Sequence, residues 1–239
     1  MISSTNVFAH RGFSGKFPEN TMIAFEEAGK FAIAGIELDV QLSKDGVMVV
    51  IHDERLDRTT NGRGFVKDYT YEQLLAFDAG SWFHSQFANH KLPKLSEIID
   101  WAKQREESFI VNIELKNDQI HYEGLEEKVL NLVEEYQFKD QVILSSFNYE
   151  SLVKIRELDQ TISIGYLIQG IHPTAIEKAQ KINANIHCDE AYALSEEGKR
   201  AKEAGLELRV YTINNTNEFE IVRKAGADVI MTDFPDQFA

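Results

Sequence analysis

The sequence has little cysteine, no long apolar run and few basic residues for its number of acidic ones. A single cysteine, Cys188, excludes an intramolecular disulfide and a multi-cysteine zinc cluster. Charged or polar residues interrupt every hydrophobic segment, so no run approaches the roughly 18 residues that a membrane span needs. The segment Met1–Asn6 carries neither the basic region nor the apolar region of an export signal. We therefore expect a cytoplasmic protein without a membrane span.

The charge balance restricts the partners. Thirty-nine acidic residues against 25 basic ones give a net charge of −14, which repels nucleic acid and anionic bilayers. A small solute or a metal cation suits such a surface better, although an acidic surface also simply keeps a protein dispersed. The sequence gives no indication of the oligomeric state.

The length predicts one domain. With 239 residues, 43% of them hydrophobic, the chain can close one large core, and α/β barrels typically have about 250 residues. We find no internal repeat of fixed period and no low-complexity linker. Residues 1–239 are therefore predicted to form a single domain.

Short β-branched or aromatic runs alternate with longer helical stretches, which is typical of repeated βα units. Eight strands favour closure as a (β/α)8 TIM barrel, and no GxGxxG motif follows the first strand to indicate a dinucleotide-binding fold. The predicted strands are Asn6–Ala9, Ile36–Leu42, Phe109–Leu115, Val142–Ser146, Ser163–Leu167, Asn185–Cys188, Glu207–Thr212 and Asp228–Thr232. The predicted helices are Thr21–Ala34, Ser96–Glu106, Gly124–Tyr136, Tyr149–Leu158, Pro173–Ile182, Ser195–Ala204 and Asn217–Ala225. Asn20 and Thr21 are predicted to cap the first helix, and Gly35, Gly205 and Gly226 to end helices in a left-handed conformation.

One segment breaks the alternation. Residues 53–92 are too many for a βα loop, which usually has two to six residues, so we predict an inserted subdomain between the second strand and the second helix. Thr70-Tyr71-Glu72-Gln73 has the pattern of a capping box and predicts a short helix there. The segment is rich in aromatic residues, which form either a small core of its own, the simpler interpretation, or the lining of a substrate cleft.

Acidic residues stand at the carboxyl ends of two predicted strands, where barrel enzymes carry their active sites. Side chains on a strand alternate between faces, which places Glu37 and Asp39 on one face and Glu114 and Lys116 together on another strand. Three carboxylates aimed into one barrel mouth would repel one another unless a cation lay between them, and hard oxygen ligands favour Mg²⁺ or Ca²⁺. The alternative is a layer of salt bridges to Arg11 and Lys116.

Two histidines are predicted to join these carboxylates. His10 directly follows Ala9 at the carboxyl end of the first predicted strand. Asp45-Gly46 indicates a two-residue hairpin, and pairing Lys44 with Val47 across it would bring His52 opposite Asp39. Two histidines beside a metal can act as general acid and general base near neutral pH.

Two basic residues also stand at the carboxyl ends of these predicted strands. Arg11 and Lys116 would contact a phosphodiester, because arginine binds two phosphoryl oxygens in a bidentate manner. The alternative for Arg11 is an ion pair with Glu19 or Glu37.

The sequence resembles the glycerophosphodiester phosphodiesterase family in motifs that run through nearly the whole chain in family order. These are His10-Arg11-Gly12, Pro18-Glu19-Asn20-Thr21, Glu37-Leu38-Asp39-Val40, Lys44-Asp45-Gly46, His52-Asp53, Leu56, Arg58-Thr59-Thr60-Asn61-Gly62 with Gly64, Asn112-Ile113-Glu114-Leu115-Lys116, Ser145-Ser146-Phe147, and Asp233 with Pro235.

The resemblance implies metal-dependent hydrolysis of a small glycerophosphodiester to glycerol 3-phosphate and an alcohol. The matched positions imply a divalent metal held by Glu37, Asp39 and Glu114, with His10 and His52 as acid and base and Arg11 and Lys116 as phosphate contacts. It also implies that Glu19 supports the first histidine or the metal shell, whereas Asn20 is expected to be a helix cap. Which histidine is the acid, and whether water or a substrate hydroxyl attacks, stays open. Tyr211 stands where related sequences often have tryptophan, so the head-group preference is open too.

Three alternatives remain. A lysophospholipase D-like activity would need an apolar groove for an acyl chain. A Schiff-base aldolase using Lys116 would need a lysine of lowered pKa, which three nearby carboxylates oppose. A noncatalytic binding barrel would not require two histidines. His84, His90, His121, His172 and His187 lie outside the motifs and are expected to be surface or structural residues.

Overall fold

The computed structural model describes residues 5–106 and 108–238. Met1–Ser4, where the sequence predicts no export signal, are outside that range. The strands are β1 (Asn6–His10), β2 (Gly35–Leu42), β3 (Met48–Val50), β4 (Ile110–Leu115), β5 (Val142–Ser146), β6 (Ser163–Ile168), β7 (Asn185–Cys188), β8 (Leu208–Val210) and β9 (Val229–Thr232). The α-helices are α1 (Met22–Ala28), α2 (Tyr71–Leu74), α3 (Leu95–Ala102), α4 (Leu125–Glu135), α5 (Tyr149–Leu158), α6 (Ala175–Lys181), α7 (Glu190–Ala193), α8 (Glu196–Glu203) and α9 (Thr216–Lys224).

Eight of the strands form a closed parallel barrel. β1 pairs with β2, His10 lying opposite Glu37, and it also pairs with β9, Ala9 lying opposite Thr232. The remaining parallel pairs follow chain order from β2 and β4 to β9, and β3 adds to β2 as an antiparallel ninth strand. The predicted (β/α)8 TIM barrel with an insertion after its second strand is therefore confirmed.

The alternation of side chains along each strand separates the core from the site. On β2, Ile36, Leu38 and Val40 are fully buried and join the main apolar cluster, which also contains side chains of α1 and α3. Burying one such aliphatic side chain stabilises the fold by about 1.5–3 kcal/mol. The intervening Glu37 and Asp39 belong to the opposite face, which is the interior of the barrel. The sheet thus places acidic side chains inside because their apolar neighbours cover the outside.

The hairpin after β2 has a different register from the predicted one. Val40 pairs with Val50 and Leu42 with Met48, and Ser43 N donates to Val47 O, so the loop is Lys44-Asp45-Gly46 rather than Asp45-Gly46. Gly46 has φ +75°, as a three-residue loop requires at its last position. Asp39 therefore pairs with Ile51, whose N–H donates to the Asp39 carbonyl, and not with His52.

Some helix ends agree with the predictions and others differ from them. Gly205 and Gly226 have φ of +80° and +98° at helix exits, as predicted. Gly35 instead begins β2, where an added Cβ would lie 2.3 Å from the carbonyl oxygen of Ile110, so close strand packing accounts for this glycine. The first helix ends at Ala28, six residues before the predicted end.

The segment between β3 and α3 has an apolar cluster of its own. Leu56, Val66, Tyr71 and Leu74 are buried in it, and Thr70 and Gln73 form the predicted capping box of α2. The small core that the sequence indicated is present, whereas the separate status of residues 53–92 as a subdomain stays a prediction. None of the helices described here is long and apolar enough to cross a membrane; the cytoplasmic location stays a prediction.

Candidate active site

Three buried carboxylates meet inside the carboxyl-terminal end of the barrel. Glu37 and Asp39 come from β2 and Glu114 from the neighbouring β4, where Asp39 pairs with Glu114. Each offers an oxygen, and these oxygens all lie within 4.8 Å of one another. Among the residues described, no hydrogen-bond donor reaches Asp39 Oδ1, although it is buried. A buried anionic oxygen without a partner is the kind of atom that a cation would satisfy.

The pKa values of these acids reflect their burial and the negative charges around them. Burial, together with the negative charge of Asp39, raises the pKa of Glu114 to about 7 and the pKa of Glu37 well above its ordinary value. Burial would also raise the pKa of Asp39, but the adjacent Arg11 guanidinium lowers it below its usual range. The cluster is therefore a set of oxygens that resist holding three negative charges without a cation.

His10 ends β1 with one nitrogen fixed and the other facing the carboxylates. Its Nδ1 donates to Asp233 Oδ1 at 2.7 Å, and its Nε2 lies 3.9 Å from Glu37 Oε2. Asp233 also accepts from Ser14 Oγ at 2.8 Å and from Asn214 Nδ2 at 2.6 Å. Because an ionised carboxylate only accepts, the neutral imidazole has its proton on Nδ1 and a lone pair on Nε2.

An aspartate fixes the His52 ring through Nδ1 in the same way. Its Nδ1 donates to Asp53 Oδ1 at 2.7 Å, and its Nε2 accepts from Lys116 Nζ at 3.4 Å. Although the predicted pairing with Asp39 is wrong, His52 still reaches the site, because it lies beyond β3 in a bend where the strand pleat no longer fixes its direction. Asp53 and Asp233 were not assigned roles from the sequence; the only sequence signal was their presence in the family motifs.

Arg11 and Lys116 lie against the acids. Arg11 contacts Glu19 at 2.9 Å and Asp39 at 3.3 Å, and Lys116 donates to Glu114 at 2.9 Å. The ion pair between Arg11 and Glu19 is the alternative that the sequence left open. These contacts hold the Arg11 and Lys116 side chains against the proposed metal ligands. Their role as phosphodiester contacts stays a prediction.

Neither of the two residues before α1 caps the helix with its side chain. Asn20 Nδ2 donates to Asp39 Oδ2 at 2.8 Å, so the expectation that Asn20 caps the helix is wrong. Asn20 has a φ of +56°, in the left-handed region that asparagine tolerates better than most residues. Thr21 stands at the N-cap position, but its hydroxyl donates to the carbonyl of Pro18 instead of accepting from the helix. Glu19 contacts Arg11 and not His10.

A cavity of about 210 Å³ opens over these groups. Its lining includes His10, His52, Glu37 and Glu114, and the apolar part of the lining comes from Phe147, Leu167, Tyr211 and Met231. His187, expected to be a surface or structural residue, is buried in the barrel and lines this cavity, and its Nε2 accepts from Arg209 Nη1 at 3.1 Å. The cavity lining thus combines carboxylates and imidazoles with aromatic and aliphatic side chains.

Comparison with known proteins identifies the family of the chain. The profile of the Glycerophosphoryl diester phosphodiesterase family matches residues 10–237. A glycerophosphodiester phosphodiesterase of Bacillus altitudinis is 42% identical over 98% of this chain and 96% of its own, and that of Caldanaerobacter subterraneus is 41% identical over 97% and 95%.

A solved structure is similar as well. An Oleispira antarctica phosphodiesterase, in complex with the product sn-glycerol-3-phosphate, superposes with a TM-score of 0.86 at 31% identity, over 97% of this chain and 94% of its own. A profile that spans nearly the whole chain and relatives above 40% identity decide the family. The chain belongs to the glycerophosphoryl diester phosphodiesterase family of hydrolases.

Proposed function

We propose that this protein hydrolyses glycerophosphodiesters to glycerol 3-phosphate and an alcohol at the cavity of the barrel mouth. The observation that carries the proposal is the meeting of three buried carboxylates with two histidines, each of which has its Nδ1 bound by a separate aspartate. The substrate class follows the relatives named as glycerophosphodiester phosphodiesterases and the sn-glycerol-3-phosphate held by the Oleispira structure.

Glu37, Asp39 and Glu114 fit a divalent cation. All three offer hard oxygen, the oxygens lie within 4.8 Å of one another, and Asp39 Oδ1 is buried without a donor among the described residues. Oxygen-only ligands favour Mg²⁺ or Ca²⁺ over softer metals. When bound, such an ion supplies positive charge that polarises a phosphoryl oxygen.

The two histidines would carry the proton transfers. In the neutral form, each has its proton on Nδ1 toward an aspartate, so Nε2 has the lone pair that can accept a proton from a nucleophile. The protonated form of the other histidine can donate to the departing alcohol. Because an aspartate orients each ring through Nδ1 in the same way, the assignment of acid and base to the two histidines stays open.

Arg11 and Lys116 would stabilise the phosphoryl group. Both lie at the edge of the carboxylate cluster, and a phosphate oxygen would offer each a negative partner like the one it has now. Burial alone would lower the pKa of Lys116, but the charges of Glu114 and Asp39 raise it above the ordinary value. A lysine that stays protonated suits a phosphate contact and opposes the Schiff-base aldolase alternative.

A coupled assay for glycerol 3-phosphate on several glycerophosphodiesters, with and without chelator, tests the proposal. We expect turnover in the parent protein, loss of turnover with chelator, and recovery when Mg²⁺ or Ca²⁺ is added. His10→Ala should lose at least about 10²-fold in kcat, the lower end of the contribution of general acid–base catalysis. His121→Ala is the matched control, because His121 is exposed and should leave turnover unchanged.

Two results would contradict the proposal. Failure of every phosphodiester, including an activated aryl one, would favour the binding barrel. Faster turnover of lysophosphatidylcholine than of glycerophosphocholine would favour the lysophospholipase D-like alternative.

A further inference from the structure

Arg58, in the segment inserted between β3 and α3, bridges two carboxylates with both edges of its guanidinium. Nε and Nη2 donate to the two oxygens of Asp53 at 2.8 and 2.9 Å. Nη1 and Nη2 donate to the two oxygens of Glu19 at 2.7 Å each. A planar fork that satisfies two carboxylates at once fixes their relative position, which a single-point ammonium contact does not.

Each of these carboxylates contacts one group of the proposed active site. Asp53 accepts from His52 Nδ1 at 2.7 Å, and Glu19 accepts from Arg11 Nη1 at 2.9 Å. Arg58 thus stands in the middle of a chain of alternating charges that begins at the imidazole and ends at the guanidinium beside Asp39. Neither His52 nor Arg11 contacts Arg58 directly in this chain; both are reached through a carboxylate.

Burial along this chain distinguishes it from an ordinary surface ion pair. The Arg58 side chain is 43% exposed, but Glu19 is only 12% exposed and Asp53 27%. The hydrogen bonds from Arg58 are the largest cause of the lowered pKa of Asp53. Isolated exposed ion pairs contribute little, whereas bidentate pairs within a network hold geometry.

We propose that Arg58 is a positioning residue of the active site, which holds Asp53 and Glu19 so that His52 and Arg11 keep their orientation toward the phosphodiester. The inference rests on the proposed function. It makes the inserted segment part of the machinery of the site, since the fork comes from the insertion while Glu19 belongs to the loop before α1 and Asp53 directly follows His52.

Arg58→Ala and Arg58→Lys test this against Arg55→Ala. Arg55 lies three residues away in the same segment, pairs with the exposed Asp57 at 3.1 Å, and lies 4.8 Å from the ring centroid of Phe65. For glycerophosphocholine, we expect Arg58→Ala to lower kcat through His52 and to raise KM through Arg11. The combined loss in kcat/KM should be about 10- to 100-fold, the usual effect of removing a residue that orients the groups of an active site through hydrogen bonds. Arg55→Ala should stay within about twofold, as expected of an exposed pair.

The shape of the side chain gives a second readout. Arg58→Lys keeps the charge but lacks the fork, so its loss should approach that of Arg58→Ala. Guanidinium chloride at a low, non-denaturing concentration should restore part of the activity of Arg58→Ala, and methylammonium should not. A purely structural role would lower the amount of active protein, and hence the apparent kcat, without raising KM. If Arg58→Ala does not fold, Arg58→Gln takes its place in the same assays, because glutamine keeps donors and length without the fork.

The outcomes separate the two proposals. An inactive parent protein contradicts the proposed function. An active parent with Arg58→Ala matching Arg55→Ala, or with Arg58→Lys fully active, overturns the positioning role alone. A split between kcat and KM with rescue by guanidinium supports it.

Discussion

His10 and Asp233 are joined by a hydrogen bond of 2.7 Å although 223 positions separate them in the sequence. The contact forms because β1 lies beside β9 in the closed barrel, which places the residue ending β1 next to the loop that follows β9. The carboxylate accepts from Nδ1 and so leaves Nε2 of His10 toward the carboxylate cluster.

Replacing Asp233 by asparagine should therefore lower kcat sharply. An amide can donate to Nδ1 and so stabilise the wrong tautomer, and we expect a loss of about 10²- to 10⁴-fold, the usual contribution of general acid–base catalysis. Steady-state kinetics of Asp233→Asn should show this with little change in KM. Asp236→Asn is the matched control, because Asp236 pairs with the exposed Lys16. Equal kcat values in the two variants would contradict the role given to Asp233.

The same carboxylate predicts a pH dependence of stability. Burial alone would raise the pKa of Asp233, but the hydrogen bonds from His10, Asn214 and Ser14 lower it to about 2, against 3.8 in the unfolded chain. A lowered pKa stabilises the fold above pH 3.8, and this contribution is lost as the pH falls toward 2. At 1.36 kcal/mol per pKa unit it amounts to about 2 kcal/mol.

Urea unfolding at several pH values, for the parent and Asp233→Asn, measures that contribution. The difference in free energy of unfolding between the two proteins should be constant from pH 7 to pH 5 and should shrink below pH 4. A difference that stays constant down to pH 3 would mean that Asp233 titrates normally.

Divalent cations should stabilise the protein through the carboxylate cluster. A ligand that binds only the folded state at 100 times its Kd adds about 2.7 kcal/mol to the free energy of unfolding, so Mg²⁺ or Ca²⁺ should raise the Tm. Asp39→Asn removes one of the three proposed metal ligands and should abolish this shift in Tm. Asp100→Asn, at an exposed position, should keep it. The measurement is thermal unfolding with and without cation. A shift of the same size in Asp39→Asn would place the binding elsewhere.

Gly165 should not tolerate alanine. An added Cβ would lie 2.2 Å from Nε2 of His187, whose ring is buried beside Arg209. Overpacking of this kind usually costs about 1–3 kcal/mol. Urea unfolding of Gly165→Ala, His187→Ala and the double variant should show that the double change destabilises less than the sum of the two single changes, because the clash is then absent. Additive effects would contradict the predicted contact.

Most of the barrel and the ligand set of the proposed metal site follow from local sequence pattern. Alternation along β2 and β4 already places Glu37, Asp39 and Glu114 on the interior face, because Ile36, Leu38 and Val40 need the helices on the outside. The hairpin register does not follow as easily. Asp45-Gly46 is compatible with loops of two or three residues, and the Ser43 hydroxyl, which bonds to Asp45 and to Val47 N, accompanies the longer one.

The supporting groups of the site are less visible in the sequence because they depend on closure of the barrel. Asn20 looks like a helix cap until β2 brings Asp39 within 2.8 Å of it. Arg58 resembles an ordinary polar loop residue until the insertion folds back onto the loop before α1. No local pattern of three or four residues describes contacts made across such distances along the chain.

The ring closure between β1 and β9 has a consequence for how the site comes into being during synthesis. During synthesis His10 precedes Asp233, the carboxylate that orients it, by 223 positions. In the nascent chain the imidazole at the end of β1 therefore has no carboxylate to orient it until β9 has been made and has paired with β1.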